Sequence, residues 1–285
     1  MTKTLSQTIN DGEFILAPGV YDLISALVAD RMGFNALYMT GYGAVASYLG
    51  LPDAGIATYR DMVERAGRIA MMTKTPLIAD ADTGYGGLLN VAYTVKGYEQ
   101  AGVAAIQLED QEVPKKCGHT PNRKVVPLDE MLRKIDVAVD SRSSDEFLII
   151  ARTDSRTGLG LDEAIKRGKA FKEAGADIVF IEALESKEEM QQVNTEITGP
   201  TLANMVEGGA TPILSKDELK ELGYNIGIFP GAGFLAAGAA LENVYEDLLE
   251  NGRTTERSTL YPFEEFNKLI GFPDVWKFDE KYAGS

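Results

Sequence analysis

The 285-residue sequence is short of thiol, imidazole and indole groups, with one cysteine (Cys117), one histidine (His119) and one tryptophan (Trp276). A lone cysteine excludes an internal disulfide and a cysteine-based zinc site, so any role of Cys117 must come from its own thiol. Positive charge is scarce as well. Lys and Arg number 28 against 43 Asp and Glu, a net charge of −15. A basic stripe tracking phosphates would have to survive that repulsive field, which argues against a nucleic-acid partner. Long apolar runs are missing: the longest, Gly231 to Leu241, is rich in Gly and Ala and falls well short of the roughly 20 residues of a membrane span. Met1 to Asn10 is polar and has no apolar secretory core, so the expectation is a cytoplasmic protein with no membrane anchor.

What is present is an ordinary globular balance, 45% hydrophobic and 25% charged residues, enough to bury a large core. Short β-like runs alternate with amphipathic helical patterns along the whole chain. The strand candidates are Phe14–Val20, Ala36–Thr40, Pro76–Asp82, Ala104–Asp110, Phe147–Asp154, Asp177–Ala183, Pro200–Val206 and Asn225–Pro230. Between them lie helical patterns such as Tyr59–Met72, Asn90–Ala101, Leu128–Val139, Leu161–Ala174, Lys187–Thr195 and Ser215–Leu222. Gly33, Gly102, Gly175 and Gly223 stand where glycine stops a helix. Eight successive βα units predict an α/β fold, a closed (β/α)₈ TIM-type barrel rather than an open doubly wound sheet. The glycines at 84, 86 and 87 lack dinucleotide-binding spacing, and Asp80 and Asp82 would repel a pyrophosphate there. The expected organisation is one barrel domain over residues 1–285, with residues 252–285 as a C-terminal helical tail. That tail is apolar enough to predict docking on a neighbour or on the barrel's outside.

Barrel chemistry sits where strands end. On the third strand Asp80 and Asp82 are two residues apart, so continued pleating would turn both carboxylates to one side, and Glu109 ends the fourth strand on the same rim. Three such carboxylates repel one another unless a cation or protons are supplied, and hard oxygen donors select Mg²⁺, or Mn²⁺ in its place, over zinc. Capping a helix or pairing with Arg or Lys explains any one of them alone. Further strand ends bring Arg152, Glu182 and Asn204. The planar fork of Arg152 suits a substrate carboxylate, and equally suits neutralising Glu109 or Glu182. The loop after the fourth strand, Lys115 to Lys124, carries Cys117 and His119 among four cationic side chains. An accessible thiol beside positive charge can act as an acid or base; a solvated basic loop with no chemical role would look the same in sequence. A Cys–His hydrolase is disfavoured, because His119 is too close in sequence and no partner carboxylate or oxyanion motif accompanies it.

The stretches DADTGYG (80–86), QLEDQ (107–111), KKCGH (115–119), ARTD (151–154), YMTGYG (38–43) and LANMVEGG (202–209) resemble the isocitrate lyase and phosphoenolpyruvate mutase superfamily. KKCGH is similar to the carbon–carbon lyase branch, whose short-chain members include 2-methylisocitrate and 2,3-dimethylmalate lyases. The resemblance implies Mg²⁺ reached by Asp80, Asp82 and Glu109, partly through water. It implies substrate carboxylate binding by Thr40, Gly41, Tyr42, Arg152 and Asn204, with Asp53 and Glu182 completing the site. The loop Lys115 to Arg123 would be a gate that delivers Cys117 as proton donor, carrying Lys116, Gly118 and His119 with it. Tyr38 through water, or an active-site carboxylate, is the candidate base. A homotetramer exchanging its eighth helix is the implied assembly. Oxaloacetate-cleaving relatives tend to carry a hydroxyl residue where this chain has Ala232, which demotes oxaloacetate hydrolysis. Phosphonopyruvate-type chemistry and a diacid-sensing binding protein also compete with the lyase reading.

Overall fold

The computed structural model describes residues 3–118 and 123–282. Eight parallel strands close into a barrel in sequence order: β1 Ile15–Val20, β2 Leu37–Met39, β3 Leu77–Asp80, β4 Ala105–Glu109, β5 Leu148–Thr153, β6 Ile178–Ile181, β7 Thr201–Asn204 and β8 Ile226–Phe229. The last pairs with the first, Ile15 opposite Ile226 and Pro18 opposite Phe229.

Strand pleating divides the apolar residues between two cores. Ile15, Tyr38, Ile78, Ile150, Phe180 and Ile226 fill the barrel with neighbours from the other strands, and Leu5 of the N-terminal helix Leu5–Asn10 packs into the same cluster. Met39, Ala79, Ile106, Ile149 and Val179 face outward into the layer shared with the surrounding helices. The helix Tyr59–Met72 lies where its apolar periodicity predicts, and Leu128–Ser141 and Leu161–Glu173 lie within two residues of expectation. Gly33, Gly102, Gly175 and Gly223 all take positive φ, from 81° to 97°, the left-handed conformation of a helix stop. Helices Leu23–Asp30 and Gly41–Leu49 escape the sequence reading. Both are short and held by side-chain caps, Asp22 and Thr40, rather than by a long apolar stripe.

One difference touches the site. β3 ends at Asp80, and Asp82 lies beyond it in a turn with φ of 49°. The pleat therefore does not orient Asp82; the turn does.

The chain divides into two compact units, Met1–Gly233 and Phe234–Ser285. The division falls inside the helix Ala232–Asn251, upstream of the tail that sequence places at 252. Within the second unit, Asp247 accepts from the backbone and hydroxyl of Thr255 and from Ser258, fastening the end of that helix to the segment after it. Asp247 is the only buried residue of the helix, and no residue of the final helix, Phe272–Tyr282, is buried. Among the described residues no helix is long and apolar enough to cross a membrane.

Candidate active site

The C-terminal strand ends bring together Thr40, Asp80, Glu109, Arg152, Glu182 and Asn204, all buried. Register sets the neighbours: Asp80 lies opposite Gln107, and Glu109 opposite Arg152. The fork of Arg152 is engaged by Asp154, Nε and one terminal nitrogen each donating at 2.9 Å. The same guanidinium lies 3.2 Å from Glu182 and 3.4 Å from Glu109, stacked over Phe180. Of the two uses foreseen for Arg152, the structure shows the neutralising of buried carboxylates, Glu109 and Glu182 among them. Burial works against its charge, but Asp154, Glu109 and Glu182 overcome that and hold it firmly protonated. Asn204 donates to Glu182 at 2.9 Å, so β6 and β7 are tied together.

The acidic side of the rim is organised by Lys115. Its side chain is 4% exposed, and its ammonium lies 2.6 Å from Oδ1 of both Asp53 and Asp82. At Asp82 the approach is ionic, and Oδ1 has no aligned hydrogen bond among the described residues. Burial works against the ammonium, yet Asp82, Glu109, Asp80 and Asp53 together raise its pKa well above the usual lysine range. Burial raises Asp80, pushes Asp82 up to about 6 and raises Glu109 strongly, with Lys115 and Arg152 opposing. Six buried carboxylates (Asp53, Asp80, Asp82, Glu109, Asp154 and Glu182) thus face three cations, Lys115, Arg152 and Arg123. Surplus negative charge on hard oxygen donors is what a divalent cation such as Mg²⁺ relieves, so the donor set fits one. Among the described residues no three such groups already form a direct-ligand cage.

Two glycines admit this packing. A Cβ on Gly41 would overlap the Asp80 carboxylate, and one on Gly118 would overlap the Arg152 guanidinium and lie 2.9 Å from Glu182 Oε2. The segment after β4 is therefore seated on the Arg152–Glu182 pair, with half-buried Cys117 adjacent in the chain. Gln111 fixes it there, accepting from the Lys116 backbone N–H at 3.0 Å and donating to the Lys116 carbonyl at 2.8 Å and to Glu109 at 3.0 Å. The Lys116 side chain itself is exposed, Tyr42 is 43% exposed, and His119 lies outside the described residues. Tyr38 donates to Gln107 at 2.7 Å, while burial first, and then Asp80, raise its pKa well above 10. That holds Tyr38 neutral, a donor more readily than a base.

Sequence reasoning gave no role to Gln107, Gln111 or Asp154 and did not foresee Lys115 as a counter-ion. Gln107 was detectable as a polar residue at an inward position between Ala105 and Glu109. A cleft of about 430 Å³, lined by Ile56, Tyr59, Tyr85 and Val113, reaches Asp82 and Lys115.

Comparison with known proteins agrees with the fold. The family described as phosphoenolpyruvate phosphomutase matches residues 5–249. The 2,3-dimethylmalate lyase of Eubacterium barkeri is 50% identical over 98% of this chain and 97% of its own length. The 2-methylisocitrate lyase of Aeropyrum pernix is 42% identical over 98% and 90%. Among solved structures, an oxaloacetate acetylhydrolase with its product oxalate superposes with a TM-score of 0.92 at 39% identity, covering 99% of this chain and 98% of that one. A phosphonopyruvate hydrolase solved with oxalate and Mg²⁺ follows at 0.86 and 30%, covering 97% and 96%. With the family model spanning most of its length and lyases of 42–50% identity covered almost end to end, the chain belongs to the phosphoenolpyruvate mutase/isocitrate lyase superfamily and is an enzyme of its carbon–carbon lyase side.

Proposed function

We propose that the protein is a Mg²⁺-dependent lyase that cleaves a 2-hydroxy di- or tricarboxylate, of the 2,3-dimethylmalate or 2-methylisocitrate type, to pyruvate and a second carboxylate. The observation that supports the reading is the close seating of Gly118 against the Arg152–Glu182 pair, at a rim of buried carboxylates and next in the chain to half-buried Cys117.

Asp80, Asp82 and Glu109 would hold the ion, with Mn²⁺ an adequate substitute. When bound, the ion supplies Lewis acidity that lowers the pKa of the substrate's 2-hydroxyl. Arg152 and Asn204 hold the substrate's carboxylate, with Thr40, Gly41 and Tyr42 at the start of the helix that follows β2 and with Asp53 and Glu182 closing the site. A buried carboxylate, rather than neutral Tyr38, takes the hydroxyl proton. The carbon–carbon bond then breaks, its electron pair passing to the departing carbon as the hydroxyl carbon becomes the ketone of pyruvate. Arg152 and the Lys115 ammonium offset the charge that develops on the departing fragment, and Cys117 returns one proton to its carbon. Lys116 and His119 are carried on the same segment and belong to this machinery.

The test is a screen of 2-hydroxy di- and tricarboxylates for pyruvate release with Mg²⁺ present. Release that persists in excess chelator rules out the metal, and turnover of none of these acids rules out the lyase. Likeness to oxaloacetate acetylhydrolase supports a second reading, hydrolysis of oxaloacetate, against which Ala232 offers no hydroxyl. Separating pyruvate from oxalate among the products decides between them. The exposed apolar side chains of the second unit support a homotetramer, and a cytoplasmic site of action follows from the same reading of the chain.

A further inference from the structure

The turn that follows Asp80 and carries Asp82 is strained and heavily held. Asp82 and Tyr85 have φ of 49° and 58°, conformations costly for residues with a Cβ, and Gly84 and Gly86 are also at positive φ. Such a turn keeps its shape only when its surroundings over-determine it. Five consecutive carbonyls of this turn each have a donor. Tyr98 donates to the Asp80 carbonyl at 3.3 Å, the Gly84 N–H to Ala81, the Glu109 N–H to Asp82, Lys134 Nζ to Thr83 at 3.2 Å, and Thr94 Oγ1 to Gly84 at 3.2 Å.

Three of the five donors are side chains from two helices. Thr94 and Tyr98 are four residues apart on Leu88–Gln100, hence on one face, and Lys134 comes from Leu128–Ser141. All are buried, Tyr98 and Thr94 almost completely and Lys134 at 5% exposure. Tyr98's proton is committed to Asp80, so the Tyr85 hydroxyl donates to Tyr98 at 3.0 Å, and Tyr59 packs edge-on against both rings. Burying an ammonium for a single hydrogen bond to a carbonyl is costly, and burial lowers the Lys134 pKa accordingly. A shorter apolar residue would spare that cost if only packing mattered.

We infer that Thr94, Tyr98 and Lys134 are positioning residues for the divalent ion: among the described residues none hydrogen-bonds to a carboxylate, and they act by gripping the backbone of the turn that leaves Asp80 and aims Asp82. The inference rests on the metal reading of the site. Removing a grip frees the turn to relax toward ordinary φ, swinging the Asp82 carboxylate away from Asp80 and Glu109.

The experiment titrates Mn²⁺ into the purified full chain by calorimetry and follows its electron paramagnetic resonance signal, for the wild type, Thr94→Val, Tyr98→Phe and Lys134→Met, with Asp82→Ala as control. Unfolding of each metal-free protein is measured alongside. The expected result is Mn²⁺ binding weakened by about 10–100-fold in each variant, by a factor larger than any change in metal-free stability accounts for. Thr94→Val keeps the side-chain shape and decides the matter should Lys134→Met not fold. Wild-type Mn²⁺ affinity in Thr94→Val and Tyr98→Phe, with only a lowered Tm in the metal-free state, overturns the inference and leaves these residues as packing. Failure of the wild type to bind Mn²⁺, or binding undiminished in Asp82→Ala, overturns the metal site itself and the inference with it.

Discussion

At the scale of single residues, Cys117 and Lys115 divide the work of one short segment. Cys117→Ser is expected to lower kcat by about 10²–10⁴, roughly 3–5.5 kcal/mol of barrier, with KM largely kept, because the hydroxyl is a far poorer proton donor at the same position. Steady-state kinetics of pyruvate release measures this, and near-full activity in the variant removes the thiol from the mechanism. Lys115→Met leaves Asp53 and Asp82 facing each other without their shared ammonium. Breaking a buried pair from one side costs roughly 3–5 kcal/mol, so denaturant unfolding of the metal-free variant should shift by that amount. The pH dependence follows from Asp82, whose carboxyl is pushed up to about 6 by burial. A folded-state pKa raised above the unfolded value favours the fold below about pH 4, and that benefit is lost as pH rises through 6. In the proposed function Asp82 would help hold Mg²⁺, and the ion would displace that proton and relieve the charge. The stabilisation Mg²⁺ gives should therefore grow between pH 4 and pH 7, with proton release on binding in the lower part of that range, both readable by calorimetry in buffers of different ionisation enthalpy.

At the scale of elements, the site depends on a strand that stops in time and on a segment that seats closely. The placement of Asp80 was legible from alternation along β3, whereas that of Asp82 was not, because the strand ends at Asp80 and a positive-φ turn takes over. Periodicity describes a regular backbone and has nothing to say once regularity stops. Gly118 was legible only as part of a motif; its contact with Arg152 and Glu182 joins segments over thirty residues apart in sequence. Gly118→Ala places a methyl group into the Arg152 guanidinium, so kcat should fall at least tenfold while Tm changes by no more than a few degrees. Kinetics and thermal unfolding on one preparation separate the two, and unchanged kcat would show that the segment need not seat on Arg152.

At the scale of the whole molecule, the second unit exposes Tyr245, Leu249, Phe263, Phe272, Trp276 and Phe278, large side chains that a soluble monomer seldom displays together. Trp276→Ser with Phe278→Ser is expected to shift the assembly from a tetramer to smaller species in size-exclusion chromatography with light scattering; a wild type that elutes as a monomer sinks the homotetramer. The sequence by itself determined the barrel, its strand order and the identity of most rim residues, because βα alternation, helix-stopping glycines and polar residues at strand ends are local properties of the chain. Tertiary structure alone decided that Lys115 is a buried counter-ion, that Asp154 takes the fork of Arg152, and that Thr94, Tyr98 and Lys134 hold the acidic turn. The Lys115 and turn contacts join residues ten or more apart in sequence through barrel closure, the Arg152–Asp154 pair is local but buried by it, and the energy of a charge depends on which neighbours closure brings to it and how much water it removes.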